Sequence, residues 1–381
     1  MEKAVKTKKQ KNNRFKNGKL YKLGYDNRFV LLSFLVSCAV CLLIEICYSM
    51  WPFGDISILR MDLYHQYGPL FGELYDRIVN GQGLSYSWES GGGGIFVGQY
   101  FNYLSSPLSI LVLIFGHKNI PQAVGFLIFL KGCLSAASMT YYFKSSNQFK
   151  MHNAITAGFG MLYAFSSYYV AYYWNVMWID GMILLPLIML GIEKIVDEGN
   201  KPWLYTIALA LIMISSYYMA FIIAIFSVLY FLVYYIGKYE MGSTVIALQP
   251  NDKGKRNPLD KLKHSRFLQS FLRCVFFAAV AGCLSAFALL PVYFTLKGSS
   301  ATSDAFPTTF NSYFNFFDFI CQHFSAIEPT IRSSGDPVLP NVSSGVLTAM
   351  LVILYFYVPS IPVKEKALWA TGVSFTGCWK A

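Results

Sequence analysis

The sequence predicts an all-α polytopic membrane protein with about eight transmembrane helices and a long first outer loop, and three observations carry that prediction. The chain is 55% hydrophobic, 17% aromatic and only 13% charged, with mean hydropathy +0.43, far from a water-soluble globular mixture. Several apolar runs reach or approach the roughly 20 residues needed to cross about 30 Å of hydrocarbon. The net charge of +11 comes from two basic blocks. Residues 1–28 hold ten Lys/Arg against two acids, and residues 237–273 hold eight against three. Juxtamembrane clusters of this kind orient membrane proteins and touch anionic lipid, so membrane lipid is the expected partner and nucleic acid is not.

Taken in order, residues 1–28 read as a basic cytoplasmic tail. The first span, Phe29 to Met50, is about 33 Å long as a helix. No small-residue cleavage site follows its apolar run, so it stays as an anchor, with Glu45 snorkelling near its outer end. With the N-terminus cytoplasmic, residues 51–121 form the outer loop. Leu104 to Phe115 would be only about 18 Å as a helix, and Pro107 interrupts it, so it reads as a juxtamembrane or re-entrant segment. Spans follow at Gln122–Phe143, Ala154–Tyr173, Gly181–Val196, Pro202–Ser215 and Tyr217–Ile236. A single helix from Pro202 to Ile236 would be about 52 Å, too long for a bilayer, so a turn is placed at Ser215–Tyr218. Residues 237–266 are then a basic cytoplasmic loop, Phe267–Leu290 runs out, 291–345 is an outer loop, and Val346–Val358 returns. The membrane domain is thus 29–360, and 361–381 is a truncated C-terminal segment. Every basic cluster lands on one side by this count.

Charge is scarce, which makes its placement informative. Asp55, Arg60, Asp62 and His65 fall within eleven residues of the first outer loop, with Tyr64, Gln66 and Tyr67 beside them. Two readings fit: the reactive centre of a membrane enzyme, or an interfacial loop whose charges mark the end of a span. Tyr86 to Gly94 carries four successive glycines but lacks the Gly-Lys-Ser/Thr ending of a phosphate loop, so it reads as a turn that lets backbone approach a ligand. Tyr172 to Asp180 holds Tyr173, Trp174, Asn175, Trp178 and Asp180; it reads as an aromatic interfacial belt or a ligand wall. Lys131, near the middle of its span, is a functional candidate unless a boundary is misplaced. Loop 291–345 adds Lys297, Asp304, Asp318, His323, Glu328, Arg332 and Asp336, mostly solvated charges, of which Arg332 or Lys297 suits a phosphate. The Gly54–Tyr67 motif, the Tyr86–Gly94 segment, Tyr172–Asp180, Ser215–Tyr218 and loop 291–345 all fall on the outer face and are expected to line one cavity. Metalloprotease and serine-hydrolase motifs are missing, and Cys38-x-x-Cys41 lies inside a lipid-length helix, where it reads as small packing residues.

Gly54 to Tyr67, Tyr86-Ser-Trp-Glu-Ser-Gly and Tyr173-Trp-Asn-Val-Met-Trp-Ile-Asp together resemble the bacterial YfhO membrane-protein family over about residues 25–360. That resemblance implies a multi-pass bacterial cell-membrane glycosyltransferase of the GT-C type. Such an enzyme takes sugar from a polyprenyl-phosphate carrier outside the membrane and places it on an envelope glycopolymer such as lipoteichoic acid. Transfer to a hydroxyl needs a carboxylate base and cationic or dipolar groups for the departing phosphate. Asp62 is the base by its place in the first outer loop, with Asp55 in reserve. Arg60 is the candidate for the carrier phosphate, and Tyr173, Trp174 and Trp178 for stacking on sugar or prenyl chain. His65, Gln66, Asn175 and Asp180 complete the substrate-binding set. Whether a divalent cation joins Asp55 and Asp62 stays open. Family members are longer, so the chain is also read as truncated, with an inactive homologue as one alternative and a transporter or lipid flippase using the same cavity as another.

Overall fold

A computed structural model describes residues 26–89, 92–149, 151–199, 202–239, 265–298, 315–324, 339, 341–343 and 345–378. Most of the tail and of the basic loop, with Asp304, Glu328, Arg332 and Asp336, lies outside these residues. The described chain is helical apart from one two-stranded hairpin. Among the described residues, four helices are long and apolar enough to cross a membrane: Arg28–Cys47, His117–Ser145, Tyr217–Lys238 and Arg266–Lys297. Trp203–Ser215 and Val346–Tyr357 are apolar but shorter.

Helix α1 (Arg28–Cys47) turns Ser33, Ser37 and Cys41 inward and leaves Leu31, Leu32, Leu35, Leu42 and Leu43 exposed. Small residues permit close helix approach, and bulky apolar side chains pointing outward suit lipid. Cys41 meets Cys133 of the neighbouring helix at 3.9 Å between sulfurs.

The centre of the bundle is the seam between α4 (Ile120–Ser145) and α7 (Ile179–Asp197). Lys131 pairs with Asp180, Ser138 donates to the Ile183 carbonyl, and Tyr142 and Ser146 donate to Glu193. Contacts ascend together along both helices, so α4 and α7 run parallel. The chain between them must return, and it does so as α5 (Asn153–Ala164) and α6 (Ser167–Tyr172). The single span expected over 154–173 is therefore broken at Phe165–Ser166. Pro186 inside α7 cannot bond to Met182, four residues back, and the Tyr163 hydroxyl takes that freed carbonyl at 3.0 Å.

Helices α8 (Trp203–Ser215) and α9 (Tyr217–Lys238) are separated by Ser216 alone, extended at φ −162°, whose Oγ accepts from the Met219 amide. The expected turn is thus one residue wide. Helix α10 (Arg266–Lys297) continues through Pro291 for seven residues beyond the expected end, so Lys297 belongs to a helix and not to a loop. Helices α11 (Phe316–Cys321), α12 (Val346–Tyr357) and α13 (Val363–Cys378) complete the described chain; α13 packs on α9.

Two ends can be distinguished. At the basic end, Lys144 meets the Asp26 carbonyl and Asn27, while Asp197 accepts from Lys238, Tyr234 and Tyr239. Arg266 caps the last α7 carbonyls there. The opposite end carries the first loop. Its segment Pro107–Ile114 is a 3₁₀ helix of eight residues, about 16 Å long, too short to cross a bilayer.

Candidate functional site

The first loop is built on α2 (Gly68–Val79), which extends a π-turn, Leu63–Tyr67, capped by Asp62. Met61, just before that carboxylate, sits at φ 48°, the left-handed region that costs a non-glycine residue about 1–3 kcal/mol. Asp62, Arg60, Tyr64 and His65 are exposed, Gln66 is half-buried, and Tyr67 is fully buried. Burial, with help from Tyr103 and the Asp62 charge, pushes the Tyr67 phenol well above its usual range, so it remains an O–H donor. Its ring meets Tyr103 edge-on at 5.7 Å. Tyr103 lies in a second π-turn, Tyr100–Leu104, so irregular helical turns present both phenols.

Two serines follow that second turn. Ser105 Oγ donates to the Ile214 carbonyl at 2.6 Å, and Ser106 Oγ donates to Asp180 Oδ1 at 3.0 Å. The other Asp180 oxygen accepts from Lys131 at 2.8 Å, and the same ammonium donates to the Val176 carbonyl at 2.9 Å. Lys131 is 0% exposed and Asp180 4%, which makes this a fully enclosed ion pair. Asp180 also lies in the first turn of α7, where a carboxylate is favoured by the helix dipole. Lys131 thus lies well inside a helix long and apolar enough to cross a membrane, not at its boundary. Each Asp180 oxygen accepts a hydrogen bond within the protein, so the carboxylate braces the segment that carries it.

That brace holds the Tyr172–Asp180 segment. Trp178 stacks on Tyr218 at 5.7 Å and 25°, and touches Tyr172 at 5.5 Å. Trp174 donates its indole N–H to Ala171, and Tyr173 and Trp174 pack against the apolar cluster of Leu63, Tyr67 and Phe71. Asn175 is buried. Packing brings the Asp62 turn, Trp178 of the Tyr172–Asp180 segment and Ser215–Tyr218 to the same end of the bundle, together with Tyr103, Ser105 and Ser106, which sequence reasoning missed. Their signal is Asn-Tyr-Leu-Ser-Ser-Pro, two hydroxyls before a helix-starting proline.

Two expected members sit apart. Asp55 lines a cavity of about 110 Å3 with Glu45 and Gln122, and Asp62 does not line it. The Tyr86–Gly94 segment forms hairpin β1 (Tyr86–Ser87) and β2 (Gly94–Ile95), pinned to α2 by Arg77. Arg77 pairs with Glu73 at 2.8 Å, donates to the Gly83 and Tyr86 carbonyls, and lies 4.5 Å over the Phe96 ring. Gly93, at φ 126°, leaves room that the Tyr86 hydroxyl fills, so this glycine serves the turn and its aromatic packing. Among the described residues no three His, Cys, Asp or Glu side chains gather as a metal set. An apolar groove of about 720 Å3 runs beside α5 and α6, lined by Phe159, Leu162, Phe165, Val170 and Leu347.

A bundle with lipid-suited outer faces, an enclosed ion pair and an aromatic, hydroxyl-rich site at one end defines an α-helical integral membrane protein. The chain belongs to the bacterial membrane protein YfhO family, whose family model matches residues 33–376. It is 29% identical over 194 residues to the uncharacterized protein YfhO of Bacillus subtilis (strain 168), a match covering 47% of this chain and 21% of that protein. No solved structure matches.

Proposed function

We propose that this chain is a GT-C-type membrane glycosyltransferase, crossing the bilayer about eight times, that moves a sugar from a polyprenyl-phosphate carrier to an envelope glycopolymer such as lipoteichoic acid. The basic end faces the cytoplasm and the first loop faces outward. One observation supports the reading: Asp62, an exposed carboxylate that follows the left-handed Met61, opens the π-turn whose buried Tyr67 packs edge-on against Tyr103. Asp62 takes the acceptor proton, as a base at the rim of an aromatic, water-poor site can. Arg60, two residues away, meets the carrier phosphate. The apolar groove along α5 and α6 offers a surface to a prenyl tail. His65 and Gln66 flank the base on the same turn, and Asp55 remains the reserve carboxylate.

The test is sugar transfer in membranes containing the chain, supplied with labelled polyprenyl-phosphate sugar, comparing wild type with Asp62→Asn at equal protein level. Loss of transfer in the variant supports both the activity and the base; persistence removes Asp62 from the mechanism. A second reading, a transporter or lipid flippase, is favoured by the buried charges of Lys131, Asp180 and Glu193 along one helix seam. Carrier movement without transfer, unaffected by Asp62→Asn, would favour it.

A further inference from the structure

A polar pocket of about 270 Å3 opens at the basic end of the bundle. Its walls are Asn147 and Gln148 after α4, Tyr234 and Lys238 in the last turns of α9, and Glu365 and Trp369 of α13. Lys238 is the last residue of α9, a helix long and apolar enough to cross a membrane, so the pocket sits at the level of lipid head groups. It shares no residue with the apolar groove beside α5 and α6.

Internal partners fix what the walls present. Gln148 Nε2 donates to Glu193 Oε1 at 2.7 Å and to the Tyr230 hydroxyl at 2.9 Å, and Asn147 Nδ2 donates to Asp197 Oδ2 at 3.4 Å. An ionised carboxylate only accepts, so the nitrogen end of each amide faces inward and the oxygen end is left to the pocket. Lys238 Nζ donates to Asp197 Oδ2 at 2.7 Å and to the Tyr234 hydroxyl at 3.0 Å, which uses two of its three N–H groups. Glu365 Oε1 accepts from the Tyr355 hydroxyl at 3.3 Å, and Trp369 rests against Tyr230 with ring centres 6.4 Å apart. Among the described residues Lys238 pairs with Asp197 and not with Glu365. The pocket therefore has a cation on the α9 wall and a carboxylate on the α13 wall, with open space between them.

That arrangement selects its ligand. A simple anion would face Glu365 and a simple cation Lys238, whereas an acyl chain would strand both charges. The volume falls below the roughly 300–1,000 Å3 of a drug-sized pocket, which suits a head group more than a whole lipid. We infer that the pocket binds a zwitterion of the phosphoethanolamine type, its phosphate at Lys238 and its primary ammonium among Glu365 and the amide oxygens of Asn147 and Gln148. A primary ammonium carries three N–H donors for those three acceptors, and a choline head carries none. Trp369 closes the ammonium side with its ring. This site is independent of the reading of the outer end.

The test is calorimetric titration of the purified full chain, stripped of lipid in detergent. The probes are dihexanoyl phosphatidylethanolamine, its N-methylated analogues up to phosphatidylcholine, dihexanoyl phosphatidylglycerol and free phosphoethanolamine. Wild type is expected to bind the ethanolamine lipid about tenfold more tightly than the choline lipid, with affinity falling at each N–H replaced by methyl. Glu365→Gln is expected to weaken the ethanolamine lipid about tenfold and to bring the two lipids within about twofold of each other. Lys364→Gln, next in the chain but outside the pocket, leaves both affinities unchanged. Binding of free phosphoethanolamine with the same Glu365 dependence supports the site with a soluble zwitterion as its source. Its failure to bind beside a bound ethanolamine lipid supports the site with the lipid as its source. Equal affinity of wild type for the ethanolamine and choline lipids would overturn the proposal, as would tighter binding of phosphatidylglycerol. So would an unchanged ethanolamine affinity in Glu365→Gln, or no binding of any probe. The methylation series is read on wild type, so the test stands even where Glu365→Gln loosens α13.

Discussion

Breaking the enclosed ion pair by Lys131→Met is expected to destabilise the protein far more than removing the pair as a unit. Lys131 is 0% exposed and donates to both Asp180, at 2.8 Å, and the Val176 carbonyl, at 2.9 Å. In the variant, Asp180 keeps only Ser106, and an enclosed carboxylate is left without its counter-charge. Removing one member of a buried pair costs about 3–5 kcal/mol, mostly because the surviving charge is stranded. Replacing both members by apolar residues of similar volume is often close to neutral. The assay is a double-mutant cycle on melting temperature in detergent with Lys131→Met, Asp180→Leu and the double variant. Each single change is expected to lower the midpoint markedly, and the double variant to regain most of the loss, for a coupling of about 3 kcal/mol. Additive losses would refute the reasoning, since they would mean the two groups do not share one desolvated contact. The loss of the Val176 contact is common to both variants that lack Lys131 and cannot imitate the coupling.

Two further perturbations follow from packing. Arg77→Lys keeps the charge but cannot reach Glu73, Gly83 and Tyr86 together, so hydrogen exchange in residues 83–96 is expected to rise by about 10–100-fold while α4 stays protected. Gly160→Ala places a Cβ 2.1 Å from Thr140 Oγ1 and 2.6 Å from the Ala136 carbonyl, forcing α5 off α4. A loss of about 1–3 kcal/mol is expected, read as a lower melting temperature, with Gly158→Ala, where the space is open, as the unaffected control.

Hydropathy made most of the helices legible because a lipid-facing helix must be apolar all round. The first helix ends at Cys47 against an expected Met50, and the central helix spans Ile120–Ser145 against Gln122–Phe143. The errors have physical causes. Pro291 read as a terminator, but neighbouring groups in a bundle can satisfy a carbonyl that proline frees, as Tyr163 does beside Pro186. The break at Phe165–Ser166 carries no stronger local signal than two serines.

The site was legible in proportion to how rare its residues are. Lys131 stood out as a charge in an apolar span, yet its partner lies 49 positions away and no local rule could name it. Tyr103 did not stand out, since in a chain with 27 tyrosines those near a membrane interface ordinarily read as an anchoring belt. What separates Tyr67 from such a belt is burial: an interfacial tyrosine keeps its hydroxyl in water, whereas Tyr67 keeps none of its surface there. A charge enclosed among helices must find a counter-charge within the protein, as Lys131 and Asp180 do, and it then organises the backbone around it.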